Sequence, residues 1–569
     1  MDFEDSMERG EEKPLLNQTS SSRNYEAETP PEANEYSQLE QKPTDCRAPG
    51  LILGFECLES IGFNGVGTNL VVYLRSVLHS NNATNAANVA AWHGTSYFTP
   101  IIGALIADSY WGNYKTILIS LILYLLGMIL VTLSALTSAS IKESNATQNV
   151  IFFSGLYLLA IGCGGVRSAL LPFGADQFDD RNLIDRERKR SFFSWFYLCV
   201  NFGVIISGIF IVWIQENIGW ALGFGIATLC ITLAFVGYLL GTPIYRIRSS
   251  HGSPLESIFQ VLIASFRKIR LEVPKDSGLL YEADSKRSND SEQTKLAHTD
   301  DFRFLDKAAI VTDSDLDQNG AQNEWNICTV TQVEELKILL RLVPIWLTSI
   351  VYAAAHSQMF TTFIQQGTSM DTNIKHFSIP PASLNSFEVL AVMLWVILYN
   401  KIVAPATQSC FSNGAGLSQL QRMGIGRFLG IVAMAIAAYL EARRLEIFRR
   451  GEILSILWQL PQYFILAGSE MFSLITQLEF FYGQAPDSMK STCTAFALLT
   501  ISLGHYLSSM IIAVVAALTT AGGRPGWIPD DLNKGHLDYY FWVLTILCLV
   551  NFVVYLFFAQ KFTLKKVIN

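Results

Sequence analysis

Charge is scarce in this chain. Only 16% of its 569 residues are Asp, Glu, Lys or Arg, against about a quarter in soluble domains. Half of the residues are apolar and mean hydropathy is positive, so a water-soluble globule is excluded and a polytopic membrane protein is implied. Ordered cysteine chemistry is also lacking: the nine cysteines are scattered through apolar segments without a CxxC, and no Cys/His cluster has metal-ligand spacing. Neither a disulfide framework nor a metal site is indicated. No paired nucleophile and base and no nucleotide loop is visible, so an enzyme and a bound cofactor are not expected. No apolar stretch near the start has the form of a cleavable signal peptide.

The net charge of −8 is uneven. Residues 1–47 hold twelve acidic and five basic side chains, a balance of −7, which leaves −1 for the remainder. The acid therefore says nothing about a substrate, and no basic surface for nucleic acid is left. Residues 1–47 are rich in Glu, Ser, Asn and Pro and poor in large apolar groups, a composition that cannot offset ordering entropy, so a disordered cytoplasmic tail is expected. Within it Glu11-Glu-Lys-Pro-Leu-Leu16 resembles an acidic dileucine signal read by clathrin-type adaptors. Glu11, Leu15 and Leu16 are the sorting candidates.

Apolar runs of about 20 residues, enough to cross roughly 30 Å of hydrocarbon, fall near 50–74, 87–108, 114–137, 149–171, 191–214 and 219–241, and then near 336–364, 383–403, 424–441, 455–479, 492–517 and 539–559. Twelve spans result, as bundles over 48–242 and 334–560. A polar linker, 243–333, separates them, and a basic tail covers 561–569. In the linker, Ser253 through Arg270 begins with an N-cap Ser and N1 Pro and predicts an amphipathic helix along the membrane surface. Arg181, Arg186, Arg188, Lys189, Arg190, Lys401, Lys490, Lys561, Lys565 and Lys566 all fall on the linker's side, which the positive-inside rule makes cytoplasmic. Arg443, Arg444, Arg449 and Arg450 run against it. The sequons at Asn82 and Asn145 fall on the other side and are expected to be open to glycosylation. A third sequon, at Asn17, lies in the tail.

The first span is the costly one. Glu56, Glu59, Ser60, Phe63 and Asn64 fall at i, i+3, i+4, i+7 and i+8, so two carboxylates share a helical face that must look into protein or water. A site or a headgroup-level helix end are the two readings of that face.

Two six-helix halves around a central loop resemble the major facilitator architecture. Gly103-Ala-Leu-Ile-Ala-Asp-Ser-Tyr-Trp-Gly112 resembles its loop 2–3 signature, which implies a cytoplasmic gate at Asp108. Gly174-Ala-Asp-Gln-Phe-Asp-Asp180, Phe193-Ser-Trp-Phe-Tyr-Leu-Cys-Val-Asn-Phe-Gly203, Gln459 through Glu470 and Glu479-Phe-Phe-Tyr482 resemble the proton-coupled oligopeptide transporter family. Cys328 through Lys337 and Gly535-His-Leu-Asp-Tyr539 are similar to its plant nitrate and peptide branch, in the peptide-transporter-like subgroup. The resemblance runs from about Leu51 to the end. It implies an all-α membrane protein of the major facilitator fold, twelve transmembrane helices in two six-helix halves.

That resemblance assigns substrate binding to Glu470 and Arg167, the latter standing in Gly162-Cys-Gly-Gly-Val-Arg167 where the family has Lys. Phe63, Asn64, His356 and Gln358 are further candidates for lining the cavity, Glu388 and His505 are candidates for internal hydrogen bonding, and Glu479 is a gate candidate. The family's first helix carries Glu-x-x-Glu-Arg or Lys and then a tyrosine pair; here Ser60 replaces the base, and Phe63 and Asn64 replace the tyrosines. The coupling set is thus Glu56, Glu59 and Ser60, with Arg167 as another source of counter-charge. Asn113 stands where the loop signature has Arg. His93 lies one turn after the proton-handling histidine of animal peptide carriers, which would fall at Ala90, and is either a coupling group or a helix-packing one.

These residues predict a carrier of a small organic solute, peptide-like or a specialised metabolite, working by alternating access in the vacuolar membrane. The plasma membrane is the alternative. Coupling to the proton, the possible co-substrate, is expected to be weak. A fully coupled peptide or nitrate symporter and a non-transporting sensor or adaptor platform are the competing readings. The expected partners are the solute, the bilayer and a clathrin adaptor.

Overall fold

In hydrocarbon a backbone has no water to bond, so apolar runs satisfy their own N–H and C=O groups as helices. The computed structural model describes residues 47–140, 146–179, 183–247, 254–274, 280–282, 296, 298–312, 325–374, 377–410, 417–484, 490–521 and 523–562. The N-terminal half comprises α1 (Arg47–Gly67), α2 (Leu70–Ser76), α3 (Asn82–Ile106), α4 (Gly112–Ser140), α5 (Ala146–Ala175), α6 (Leu183–Ile206), α7 (Val212–Asn217) and α8 (Trp220–Gly241). The linker holds α9 (Pro254–Arg267). The C-terminal half comprises α10 (Val330–His356), α11 (Thr362–Thr368), α12 (Leu384–Leu398), α13 (Ala404–Cys410), α14 (Gln419–Arg449), α15 (Leu460–Glu470), α16 (Thr476–Gln484), α17 (Lys490–Thr520) and α18 (Leu537–Lys561). The only strands among the described residues are β1 (Asn373–Ile374) and β2 (Phe377–Ser378), an antiparallel hairpin.

Among the described residues, ten helical runs are long and apolar enough to cross a bilayer. One of them, 82–137, contains two of the twelve expected spans, joined through the π-turn Ala107–Trp111. The one expected span left over, the first, formed by α1 and α2, is not among the ten. Its two glutamates and an unwound step at Thr68 and Asn69 interrupt the apolar run. Twelve helical passages thus stand in two halves.

Starts follow local chemistry. Thr329 caps α10 and Ser418 caps α14, each in a reciprocal box with the glutamine three residues on, which satisfies two otherwise orphaned N–H groups. In the N-terminal half α5 packs along both α3 and α4. Gly162 sets the distance, since a Cβ there would lie 2.3 Å from the backbone nitrogen of Tyr124. Between the halves α3 runs against α17, and α6 against α12. Ile122, Leu126, Leu229, Ile546 and Val553 point outward, as a lipid-facing surface requires.

The described linker folds onto the start of α10. Val261 and Ala264 of α9 pack with Leu305, Ala308, Ala309, Cys328, Val333 and Leu336, while Phe259, Leu262 and Phe266 are exposed on its other side. Lys337, fully buried, bonds Asp306 at 2.6 Å, Glu334 at 2.8 Å and the Thr299 carbonyl at 2.8 Å.

Two expectations change here. Asn82 is 1% exposed and its amide donates to the carbonyls of Pro529 and Asp530 at 2.9 and 3.1 Å, so in this state it is no glycan acceptor. The basic group on α14 is less of an exception than its charge count: Arg444 is buried against Glu441, and Arg443 and Arg450 both pair with Glu446. Asn17, Asn145, Lys565, Lys566 and the dileucine residues Glu11, Leu15 and Leu16 lie outside the described residues.

Candidate functional site

The two carboxylates on α1 are buried, with Glu56 7% and Glu59 1% exposed. Around Glu59 Oε1 three donors converge from two other helices: Arg167 Nε at 3.3 Å, the Tyr124 hydroxyl at 3.2 Å and Cys163 Sγ at 3.6 Å. Cys163 and Arg167 are one turn apart on α5 and share a face. The guanidinium of Arg167 also lies 3.8 Å from the centre of the Phe63 ring, a cation–π contact that supports the planar group along its face. Although it sits deep in the bundle, the Arg167 side chain is 24% exposed. It borders an interior space.

Ser60 takes no part in that charge network. Its hydroxyl donates to the carbonyl of Val200 at 2.7 Å, and a Cβ on Gly203 would lie 2.5 Å from both Ser60 Cβ and Oγ. The small side chain and the glycine let α1 and α6 close on each other. Asn64 turns back on its own helix, bonding the Ser60 carbonyl at 2.8 Å.

The C-terminal half carries a second group. His356 ends α10 and its Nε2 lies 3.2 Å from Glu470 Oε2, at the end of α15. Glu388 on α12 joins them, with one carboxylate oxygen within 4.8 Å of both a Glu470 oxygen and a His356 ring nitrogen. Beyond Glu470 the helix widens into a π-turn, Met471–Ile475, a feature that recurs at functional sites. The Glu470 side chain is 28% exposed, so this group too borders solvent-accessible space. Gln358 is instead packed away, bonding Ser508 at 2.9 Å, Tyr540 at 3.1 Å and Thr362 at 2.8 Å.

An aromatic wall joins the halves. His93 on α3 lies 4.7 Å from Phe360 and 5.3 Å from His505, and Tyr97 stacks on His505 at 5.8 Å. Neither ring nitrogen of His93 has a hydrogen-bond partner among the described residues. Of the two gate candidates, Asp108 lies in the π-turn after α3, and Glu479 lies on α16, where Arg422 holds it at 2.8 Å. Asn113 donates to Asp176 at 3.3 Å.

Arg167 from one half and Glu470 from the other both lie within electrostatic range of Tyr97 on α3. The profile of the POT family matches residues 114–528. The chain belongs to that family. Protein NRT1/ PTR FAMILY 8.3 of Arabidopsis thaliana is 46% identical over 545 residues, covering 93% of this chain and 93% of its own. Protein NRT1/ PTR FAMILY 8.5 of the same plant is 44% identical over 538 residues, covering 92% and 91%. Among solved structures, an auto-inhibited POT family peptide transporter matches with a TM-score of 0.70 at 20% identity, over 91% of this chain and 98% of its own. This POT family chain is a membrane transporter of the plant nitrate and peptide branch, with the major facilitator fold, and not an enzyme.

Tyr124 and Cys163 were not among the sequence candidates for this site. Nothing local marks them, since each acquires its role from α4 and α5 packing together. Arg427 was also passed over, though an arginine in Gly424-Ile-Gly-Arg427 within an apolar run is a visible signal. It is 2% exposed and bonds the hydroxyls of Thr348 and Ser349, each at 2.7 Å.

Proposed function

We propose that this POT family member carries a small organic solute with a carboxylate or amine, peptide-like or a specialised metabolite, by alternating access between its halves and with weakened proton coupling. The observation that carries this reading is the closed circle around Glu59. Its cation comes from α5 and its other donors from α4 and α5, while position 60, where the resemblance places a base that exchanges partners as protons move, is a serine bonded to the backbone of α6. No base stands next to Glu59 on α1 to be released by protonation. Arg167 on one side and Glu470 on the other offer opposite charges to the two ends of a zwitterion, a pairing that suits a peptide-like solute. The similar transporter of known structure is a peptide transporter.

One cluster favours the competing symporter reading. Carboxylate oxygens of Glu388 and Glu470 lie within 4.8 Å of each other and of a His356 ring nitrogen, a grouping that could hold a proton even without a base at position 60.

Uptake of a mixed metabolite pool into proteoliposomes, read by mass spectrometry, identifies the solute. The same vesicles under an imposed pH gradient test coupling. Equilibration without uphill accumulation is expected, and accumulation driven by the gradient alone favours the symporter. For location, the vacuolar membrane is the reading, with the linker side cytoplasmic. Changing Leu15 and Leu16 to Ala is expected to divert a fluorescent fusion to the plasma membrane; an unchanged distribution removes the tail's role as an adaptor signal.

A further inference from the structure

Glu388, Glu470 and His356 stand on three different helices, yet one donor atom from each lies within 4.8 Å of the others. Compensation for this group is incomplete. Glu388 is 2% exposed and its Oε1 has no hydrogen-bond partner among the described residues. The ion pair described for Glu470 is the one to His356, and none is described for Glu388. A buried carboxylate oxygen without a donor is costly. Close by, His505 is 3% exposed, leaves Nδ1 without a partner and lies within electrostatic range of His356. The arrangement offers lone pairs and lacks a cation.

The donor set narrows the cation. One imidazole with two carboxylates suits a first-row divalent ion, whereas Mg²⁺ and Ca²⁺ take oxygen ligands alone. We propose that His356, Glu388 and Glu470 form a binding site for one divalent transition-metal ion of the Zn²⁺ class. Binding gives the orphaned Glu388 Oε1 a partner. Three protein donors leave a four-coordinate ion one open position, within reach of the space that Glu470 borders. The site therefore deepens the carrier reading, on which it rests: a solute bearing a carboxylate or amine would be held at the ion as its fourth ligand.

The test uses the full chain in nanodiscs, freed of metal with a chelator and titrated with Zn²⁺ by calorimetry, and with Co²⁺ as a spectroscopic probe. One equivalent of Zn²⁺ is expected, with visible Co²⁺ bands of four-coordinate intensity. Glu388→Gln and His356→Gln are each expected to weaken Zn²⁺ binding at least about tenfold, and Glu446→Gln at the surface is not. Thermal unfolding of every variant without metal checks its fold, and a Zn²⁺-induced rise in melting temperature in the parent, lost in both site variants, gives a second readout. No saturable Zn²⁺ binding to the parent, or equal binding in folded site variants, overturns the metal site while leaving solute flux in metal-free buffer to stand for the carrier. Intact Zn²⁺ binding without flux of any solute upholds the site and overturns the carrier reading instead.

Discussion

Position 60 shows how one side chain redistributes a charge network. A serine there bonds Val200 and lets Gly203 approach, so the space that an arginine would need is filled by α6. Ser60→Arg is therefore expected to reduce thermal stability by about 1–3 kcal/mol through overpacking. If the protein still folds, it is expected to gain pH-dependent flux, because a base on α1 then competes with Arg167 for Glu59. Unchanged stability would show that the α1–α6 seam is looser than this contact implies. Arg167→Ala and Glu470→Gln each remove a charge that no neighbour on the same helix replaces. Solute flux is expected to fall at least about tenfold, roughly 1.4 kcal/mol, in variants with parental folding and sorting. Parental flux in either one would place the binding site elsewhere.

At the scale of elements, α14 separates interactions that hold the fold from interactions that only decorate it. Arg444 and Glu441 are 2% and 0% exposed, and Arg444 also bonds Asn533 at 2.6 Å while Gln366 bonds Glu441 at 3.0 Å. Arg443, Glu446 and Arg450, at the same end of this helix, are exposed. Glu441→Gln is expected to destabilise the detergent-purified protein by about 3–5 kcal/mol, since it strands a buried guanidinium. Glu446→Gln is expected to cost under about 1 kcal/mol, and equal losses in denaturant unfolding would refute the distinction. The sequence marks Arg443, Arg444, Arg449 and Arg450 only as basic residues on the wrong side, because helical spacing reveals i,i+3 pairs but not depth. The same limit applies to the site. Helical periodicity placed Glu56 and Glu59 on one face, and the resemblance supplied Arg167 and Glu470. The convergence of Tyr124 and Cys163 on Glu59, and of Glu388 on Glu470, depends on which helices neighbour one another, a tertiary property that no spacing along one helix encodes.

For the whole molecule, the end opposite the linker is tied across the two halves. Arg75 at the end of α2 donates to Thr368 at 3.0 Å and to the Asp530 carbonyl at 3.1 Å. Asn82 bonds the Asp530 carboxylate through its backbone at 3.1 Å, and Gln365 donates to the Asn82 carbonyl at 2.7 Å. Nearer the middle, Ser502 bonds the Gly94 carbonyl at 2.8 Å and Thr95 meets Tyr506 at 2.9 Å. A carrier that alternates has to break the outermost of these ties and re-form them in every cycle, so their strength sets how its time divides between states. Each hydrogen bond contributes about 0.5–1.5 kcal/mol net. Losing both from Arg75 is therefore worth roughly 1–3 kcal/mol, enough for a change of about five- to more than a hundred-fold in that equilibrium. Arg75→Ala is expected to favour the state open at the far end, raising the labelling rate of a cysteine placed at Ala86, which is buried against the apolar cluster of the C-terminal half, by a membrane-impermeant thiol reagent applied from that side. A slower solute flux is expected with it, because the return step becomes uphill, while the affinity of the site around Arg167 and Glu470, deeper between the halves, changes by no more than the same factor. If labelling at position 86 is the same with and without Arg75, these contacts are not what holds the far end shut, and the aromatic wall of His93, Phe360 and His505 becomes the element whose rearrangement limits opening.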